Sequence, residues 1–341
     1  MLRYNVTMEF TKRLMNWYHE NKRDLSFRND QDPYKIWVSE VMAQQTQIAT
    51  MLPYFNRWIA KWPTIESVAN ADIQEILKMW EGLGYYNRAR NLHKGAQFVM
   101  ENFNGALPRD KKLLMTIPGI GEYTSSAIAA IAFELPEIPV DGNVKRVMAR
   151  YLNYTENVNT RKSHVYFEEY LKEKLIIGGA KPSEFTQALM ELGALVCTKD
   201  NPKCIGCPFK EMCAAYRGET VGEVPYIPKA KKVPVYKKSV LIYLKNNQIL
   251  ISNDHRDGLM KGLLRLPQID GHLKEKSIYN LRHKFTHLEW HIKVYLIDEL
   301  MDFDFDTFLI PLETVDDITM VRAHRKILEY LESEKVIKIN K

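Results

Sequence analysis

The stretch Ile117-Pro118-Gly119-Ile120-Gly121 separates two short segments with helical periodicity, residues 111–116 and residues 123–133. Its two glycines allow a sharp bend and leave amide groups at the start of the second helix free to bind an anion such as phosphate. The stretch therefore predicts a helix-hairpin-helix unit. A plain connector between two helices can have the same residues, so this interpretation needs support from the rest of the chain.

An acid opens a further predicted helix in the segment Val140-Asp141-Gly142-Asn143, which follows a proline-containing break at residues 135–139. Capping the helix is the most common role of an aspartate in this place. The combination of this segment, the hairpin and a cysteine cluster is much more specific than any one of the three.

A second acid, Glu40, lies on a helix whose start is clear in the sequence. Asp32 can cap this helix and Pro33 can occupy its first turn. Trp37 and Met42, together with Ile36 and Val41, form an apolar stripe beside the acid. Glu40 is therefore either a solvated helix acid or a functional carboxyl in apolar surroundings.

All four cysteines of the chain lie in one short segment with the spacing C-x6-C-x2-C-x5-C, and they are Cys197, Cys204, Cys207 and Cys213. This closeness indicates a single metal site. Zinc ribbons usually contain two separate C-x2-C pairs, whereas this chain has one, so the uneven spacing favours a four-iron cluster over zinc. Disulfides are disfavoured because we expect a reducing compartment.

Length and composition limit the class of protein. The chain has 341 residues, of which 45% are hydrophobic and 26% are charged, and this predicts two globular domains. No apolar run is long enough for a membrane span and no secretory leader precedes the helices, so we expect a cytoplasmic protein of bacterial type with no membrane contact. The formal net charge of +6 is compatible with a polyanionic partner.

The amino-acid composition of the sequence changes after residue 217. Prolines 225, 228 and 234 stand among lysines that include Lys231, and we predict a linker over residues 218–234. Beyond it, a smaller α+β domain is predicted over residues 235–341, with strands at 239–244, 248–252 and 291–297 and a helix at 320–333. The acidic stretch 298–306 is expected to be a solvated face.

The hairpin, residues 140–146 and the cysteine spacing resemble the endonuclease III superfamily of helix-hairpin-helix, iron-sulfur DNA glycosylases. Three further segments, residues 37–47, 81–86 and 185–193, most resemble the MutY-type adenine DNA glycosylases. The resemblance implies a mostly α-helical glycosylase region over residues 1–217 with an iron-sulfur cluster loop. It places a six-helix barrel at about residues 27–135 and a cluster domain at about residues 1–26 with 136–217.

The resemblance also implies a function, which is hydrolysis of the N-glycosidic bond of adenine mispaired with 8-oxoguanine or guanine in duplex DNA. The enzyme would be a monomer that flips the adenine out of the duplex and carries a [4Fe-4S] cluster on the four cysteines. Glu40, with a raised pKa, would protonate adenine N7 and then activate water. Asp141 would stay ionised and stabilise the oxocarbenium-like sugar, while Tyr123 and Asn143 would orient the pair of acids.

Contacts to DNA follow from the same resemblance. Gln45 and Tyr85 resemble wedge residues that fill the gap in the duplex, and Arg28 and Gln187 match positions that line the adenine pocket. The remaining expected contacts are Thr46, Leu83, Gly119 and Gly121. Around Arg28 the match is looser, because Leu-Ser-Phe-Arg replaces the usual Leu-Pro-Trp-Arg.

Residues 235–341 resemble, more faintly, the Nudix-like C-terminal domain of the family. The run G-x5-E-x7-R-E that binds metal in the related hydrolases is absent from the sequence, so we expect this domain to recognise a lesion and not to hydrolyse a nucleotide. Phe285-Thr286-His287 corresponds to a Phe-Ser-His loop that contacts the oxidised guanine.

Two other functions remain as alternatives. A bifunctional endonuclease III-like pyrimidine glycosylase and lyase has a lysine two residues after the last hairpin glycine, where this chain has Tyr123, so the amine that forms an imine with the sugar is missing there. A non-catalytic iron-sulfur DNA-binding protein would use the hairpin and cluster only to hold DNA. Replacing Glu40 by glutamine separates this second alternative from an enzyme.

Overall fold

The computed structural model describes residues 2–28, 30–229 and 232–338, with side chains from residue 7 onward. Residues 230 and 231 of the predicted linker, the latter being Lys231, and the last three residues of the predicted C-terminal domain lie outside the described residues. The chain forms two compact units. The first comprises Met1–Ala71 and Asn91–Lys229, and the second comprises Asp72–Arg90 and Ala230–Lys341.

Helices account for the regular structure of the first unit. In chain order the α-helices of the described residues are α1 (Leu2–Asn21), α2 (Pro33–Ala43), α3 (Ile48–Lys61), α4 (Ile65–Ala69), α5 (Ile73–Met79), α6 (Asn87–Phe103), α7 (Lys111–Leu114), α8 (Glu122–Ile131), α9 (Gly142–Leu152), α10 (Arg161–Gly178), α11 (Pro182–Leu195), α12 (Ala214–Arg217) and α13 (Arg322–Ser333). Among the described residues, no helix has both the length and the hydropathy to cross a bilayer.

The predicted helix around Glu40 is confirmed as α2. The carboxylate of Asp32 accepts a hydrogen bond of 2.9 Å from the amide of Tyr34, and Pro33 is the first helical residue. The apolar stripe is buried, with Trp37 and Met42 fully inaccessible to solvent. Because this stripe fixes the rotation of α2, the position of Glu40 follows from the packing of its neighbours.

The predicted hairpin is also confirmed, with α7 and α8 as its two helices. Gly119 has a φ of 85°, in the region that side chains rarely adopt, and a Cβ there would lie 2.8 Å from the Cβ of Asn91. Glycine is therefore required at this position both by the backbone angle and by the close approach of α6.

An aromatic cluster connects the cysteine segment to the helices of the first unit. The ring of Phe209, which lies between two cysteines, stacks on Phe10 of α1 at 4.3 Å and packs edge-on against Tyr151 of α9 at 5.3 Å. All three rings belong to the buried core of this unit, which α1, α9, α10 and α11 build together. The core thus holds the cysteine segment beside the helix that begins after Asp141.

The second unit contains a mixed six-stranded sheet with the strand order β4-β5-β1-β2-β6, and β3 also pairs with β1. Its strands are β1 (Val235–Lys245), β2 (Gln248–Ser252), β3 (Gln268–Asp270), β4 (Tyr279–Lys284), β5 (Glu289–Ile297) and β6 (Thr307–Pro311). β1 and β5 are parallel, and the other pairs are antiparallel. The smaller α+β fold is confirmed, and α13 covers this sheet with a buried stripe that includes Ile327 and Leu331. The acidic stretch 298–306 is mostly exposed, as predicted.

Candidate active site

Glu40 and Tyr123 meet where α2 packs against α8. The hydroxyl of Tyr123 donates a 2.7 Å hydrogen bond to Oε2 of Glu40. Burial raises the pKa of Glu40, and the charge of Asp141 adds to this, while the bond from Tyr123 and the charge of Arg28 act in the opposite direction. The net rise in pKa favours a carboxyl that holds a proton at higher pH than an ordinary glutamate.

Asp141 caps α9, as its sequence position suggested, and its second oxygen has a further partner. Oδ1 accepts a 2.7 Å bond from the amide of Val144, and Oδ2 accepts a 2.8 Å bond from Nδ2 of Asn143. Burial raises the pKa of Asp141, whereas these hydrogen bonds and the charge of Arg146 lower it. Since Asp141 accepts two hydrogen bonds and Glu40 one, the ionised form is better supported at Asp141.

Arg146 joins this acid to the cysteine segment. Its guanidinium donates 2.8 Å bonds to Oδ1 of Asn143 and to the carbonyl of Gly193, and a 2.7 Å bond to the carbonyl of Cys197. Asn143 therefore receives one bond from Arg146 and gives one to Asp141. Arg146 was not predicted as a site residue, although its place one helical turn after Asn143 was a usable signal.

Gly193 provides a test of how closely this network is packed. A Cβ at Gly193 would lie 2.6 Å from the Cβ of Asn143 and 3.2 Å from its Cα. We expect Gly193→Ala to lower stability by about 1–3 kcal/mol and to displace Asn143 from Asp141. Urea unfolding measures the first effect. Gly222→Ala is the matched control, because nothing lies within 4 Å of that added Cβ. Equal free energies of unfolding for the two variants would show that α9 and α11 can move apart without loss of stability.

A cleft of about 380 Å³ brings together Arg28 and Gln187, the two residues predicted to line a pocket. Nε2 of Gln187 donates to the carbonyl of Ser183 at 3.1 Å, while its Oε1 is buried with no hydrogen-bond partner among the described residues. A ligand that donates a hydrogen bond would satisfy this oxygen.

Glu191 belongs to the same region and was not singled out in the sequence. Its carboxylate is fully buried and accepts a 2.5 Å bond from Arg28 and bonds of 2.7 and 2.9 Å from Arg23. Burial raises the pKa of Glu191, but the two arginines outweigh it and hold the pKa below its ordinary value. An acid within the apolar run of α11 was the available signal. Its partners, 163 and 168 residues away, could not be deduced from spacing.

The other predicted contacts in the first unit are two residues after α2 and the hairpin glycines. Gln45 is exposed and has a φ of 55°, and the hydroxyl of the adjacent Thr46 donates to the carbonyl of Gln44 at 3.3 Å. Gly119 lies in the hairpin, and Gly121 is the N-cap of α8. The amide groups at the start of α8 are the ones predicted to bind phosphate.

The remaining predicted contacts lie in the second unit. Leu83 is buried, whereas Tyr85 is 45% exposed. Phe285 packs edge-on against Trp290 with the ring centroids 4.8 Å apart, and Thr286 and His287 are exposed. Phe285 therefore anchors the loop, and the hydroxyl and imidazole next to it are available to a partner.

The four cysteines line one small cavity of about 30 Å³, and none of them forms a disulfide. Burial raises the pKa of Cys207 to about 12, with a contribution from the neighbouring cysteines. Nη1 of Arg150 lies 3.6 Å from Sγ of Cys197, and Sγ of Cys213 lies 3.3 Å from the carbonyl oxygen of Arg150. Four half-buried thiols around one small cavity fit a tetrathiolate metal centre, since a cation relieves the cost of ionising them together.

Comparison with known proteins defines the class of this fold and site. Residues 38–174 match the family model described as "HhH-GPD superfamily base excision DNA repair protein". A solved structure of a thermostable thymine-DNA glycosylase superposes with a TM-score of 0.57 and 27% identity, covering 63% of this chain and 98% of that one. An endonuclease III–DNA complex, at a TM-score of 0.54 and 22% identity, shares the fold over 64% of this chain.

Relatives among characterised proteins narrow the class to one family. The adenine DNA glycosylase of Buchnera aphidicola subsp. Baizongia pistaciae is 35% identical over 306 residues, which cover 84% of this chain and 85% of the relative. The adenine DNA glycosylase of Mus musculus is 42% identical over 229 residues, which cover 64% of this chain and 44% of the mouse protein. The chain belongs to the adenine DNA glycosylase family.

Proposed function

We propose that this protein removes adenine from duplex DNA, where the adenine is mispaired with 8-oxoguanine or guanine, by hydrolysing its N-glycosidic bond. The observation that carries this proposal is the pairing of Glu40 with Tyr123 beside Asp141, two acids with different hydrogen-bond environments in a helix-hairpin-helix unit. Family membership indicates that the nucleobase removed is adenine, because the relatives named above are adenine DNA glycosylases.

The proposed reaction begins with a protonated Glu40. Its proton passes to N7 of adenine while the bond between C1′ and N9 breaks and its electron pair moves into the ring. The sugar is left as an oxocarbenium-like cation, which the ionised Asp141 stabilises. Water then adds to C1′ and returns a proton to Glu40. Tyr123 holds one oxygen of Glu40, and Asn143 holds one oxygen of Asp141, so each acid keeps its orientation through the cycle.

The adenine must leave the duplex to reach these acids, and Gln45 and Tyr85 fill the gap that it leaves. The cleft that Arg28 and Gln187 line holds the extruded base, and the buried Glu191 fixes the guanidinium of Arg28 there. The buried Oε1 of Gln187 fits the exocyclic amine of adenine, because this amine donates a hydrogen bond that the oxygen otherwise lacks.

The proposal includes base removal without strand cleavage. A lyase needs an amine to form an imine with the sugar, and the corresponding position here holds Tyr123, whose hydroxyl is already bonded to Glu40. In this proposal, Tyr123 orients Glu40 through that hydrogen bond.

The four cysteines would hold a [4Fe-4S] cluster, and this cluster would crosslink the segment from Cys197 to Cys213 and make it rigid. Lys199 and Lys203, which lie within this segment, face a phosphate of the duplex in this proposal. In the second unit, Thr286 and His287 contact the oxidised guanine. The protein acts as a cytoplasmic monomer on duplex DNA.

A single-turnover assay on a duplex with adenine opposite 8-oxoguanine tests the function directly. We expect cleavage of the adenine strand that appears only after alkali treatment, because an abasic site is stable until base is added. A matched duplex with thymine opposite 8-oxoguanine is the control. Absence of adenine release from protein that binds the duplex and shows iron–thiolate absorbance would contradict the proposed function, and cleavage before alkali would contradict its monofunctional form.

A further inference from the structure

The segment Asp72–Arg90 belongs to the second unit, although the helices on both sides of it in the sequence belong to the first. It carries α5 and then a tight turn with two glycines, Gly82 at a φ of 102° and Gly84 at 70°. The turn presents the aromatic ring of Tyr85, which is 45% exposed and has a φ of 50°. An exposed ring on a fixed turn is the kind of group that can stack against unpaired bases.

A polar network fastens the start of this turn to the fold formed by residues 232–338. Oε1 of Glu81 accepts a 3.3 Å bond from Nε of Arg325 on α13 and a 3.5 Å contact from the amide of Met320. Oε2 of Glu81 accepts a 2.7 Å bond from Lys78. Nζ of Lys78 also donates to the carbonyls of Asp316 and Ile318. The side chains of Glu81 and Arg325 are only 15% and 10% exposed, so water screens this ion pair weakly.

The C-terminal part of the turn, residues 83–85, is also fixed by hydrogen bonds and a cation–π contact. Nη2 of Arg88 donates 3.1 Å bonds to the carbonyls of Leu83 and Gly84, and its guanidinium lies over the ring of Tyr85 at 5.4 Å. Nε1 of Trp80, a fully buried residue, donates to the carbonyl of Gly84 at 3.0 Å. The position of Tyr85 is therefore determined by Glu81 and Trp80 before the turn and by Arg88 after it.

Helix α13 contacts both this network and the strands beneath the loop 285–287. Arg325 reaches Glu81, while the adjacent His324 lies beside Trp290, with the ring centroids 6.4 Å apart, and Trp290 supports Phe285 at 4.8 Å. Tyr330 of α13 stacks on Tyr279 of β4 at 4.0 Å. A single packed helix thus connects the loop with the turn through neighbouring residues.

We propose that Glu81 and Arg325 are positioning residues through which the C-terminal fold sets the place of Tyr85 during extrusion of the adenine. This inference rests on the proposed function, since it concerns the extrusion step of that reaction. Arg325 also donates to the carbonyls of Val315 and Ile318 and to Asp316, so its own place is fixed by α13 and the segment before it. Removing the charge of Glu81 or of Arg325 frees the turn while the rest of the sheet is kept.

The test compares Glu81→Gln, Arg325→Gln and the double variant with the wild-type protein. The probe is a duplex with 2-aminopurine in place of the target adenine opposite 8-oxoguanine, because its fluorescence rises when the base unstacks. We expect each single variant to slow this rise by about tenfold or more, since small misplacements of a positioning group have effects of this size. The double variant should be no slower than the slower single variant, because both changes break the same contact.

Asp270→Asn is the matched control, because Asp270 forms an ion pair with Lys238 in the same unit and has no hydrogen bond or ion pair with residues 72–90 among the described residues. Hydrogen exchange at residues 82–86 of the free protein should rise in the Glu81 and Arg325 variants and stay unchanged in the control. The proposal would be overturned if both single variants extrude the base at the wild-type rate, even if hydrogen exchange rises. It would also be overturned if the slowing in the double variant equals the product of the slowing in the two single variants.

The same experiment separates this inference from the proposed function. Wild-type protein that releases no adenine contradicts the function, while the exchange and fluorescence measurements still decide whether the pair positions the turn. Should Arg325→Gln fail to fold, Glu81→Gln alone decides the question, because it keeps the size of the side chain and removes the charge that pairs with Arg325 and Lys78.

Discussion

Replacing Glu40 by glutamine is expected to lower the single-turnover rate of adenine release on the order of a thousandfold or more, because general acid catalysis and charge stabilisation at one group contribute effects of this size. Glutamine keeps an oxygen that can accept the bond from Tyr123, yet it has no proton with the acidity to give to N7. The measurement is the rate of alkali-revealed cleavage with enzyme in excess over duplex. Affinity for the same duplex should change by less than about tenfold.

The matched control for this variant is Glu101→Gln, which removes the charge of an exposed acid on α6. It should release adenine at the wild-type rate. Retained activity in Glu40→Gln would remove the carboxyl from the mechanism. Wild-type protein that binds the duplex but releases no adenine would favour the non-catalytic alternative.

The same change should raise the stability of the protein at neutral pH. Burial raises the pKa of Glu40 above 4.5, so the folded state favours the protonated form. The penalty for ionising the buried carboxyl is absent below the unfolded pKa, grows as pH rises through the folded pKa, and stays constant above it. Glutamine never has this penalty. We therefore expect Glu40→Gln to unfold at a higher temperature than wild type at pH 7 and to lose that advantage near pH 4.

Local patterns predicted the elements that carry the site. The proline and cap at the start of α2, the glycines of the hairpin and the acid at the start of α9 each have a local physical cause, so their positions could be predicted from the sequence. The strand at residues 248–252 was predicted with the bounds that the structure has. In contrast, β3, β4 and β6 were not predicted. β3 has only three residues, β4 is rich in polar residues and β6 ends in a proline, and their pairing with β1, β5 and β2 is a property of the whole sheet.

Interactions between distant residues could not be predicted in this way. Glu191 is paired with Arg23 and Arg28 far earlier in the chain, and Arg146 is bonded to the carbonyls of Gly193 and Cys197. Such contacts depend on how α9 and α11 pack, which residue spacing along one helix does not encode. The grouping of residues 72–90 with the second unit is a further case, since the ion pair between Glu81 and Arg325 joins residues that are far apart in the sequence.

Asp141→Asn is expected to reduce adenine release by about a hundredfold to a thousandfold, because the variant lacks the negative charge that stabilises the sugar cation. Asparagine is also a good N-cap, so α9 should keep its start. The amide can retain only one of the two hydrogen bonds that the carboxylate accepts, at a cost of about 1 kcal/mol in stability. Asp141→Ala, which removes the cap as well, is the matched variant for separating helix stability from catalysis.

The pH dependence of the adenine-release rate separates the catalytic role of Asp141 from its role as a helix cap. In the wild-type enzyme the rate should fall at low pH as Asp141 takes up a proton, at a pH above 3.8 because burial raises the pKa of that group. It should also fall on the alkaline side as Glu40 loses its proton, at a pH above 4.5 because the pKa of Glu40 is raised as well. Asp141→Asn should remove the acidic limb and keep the alkaline one. A profile in Asp141→Asn with both limbs intact would assign the acidic limb to another group and leave Asp141 as a helix cap alone.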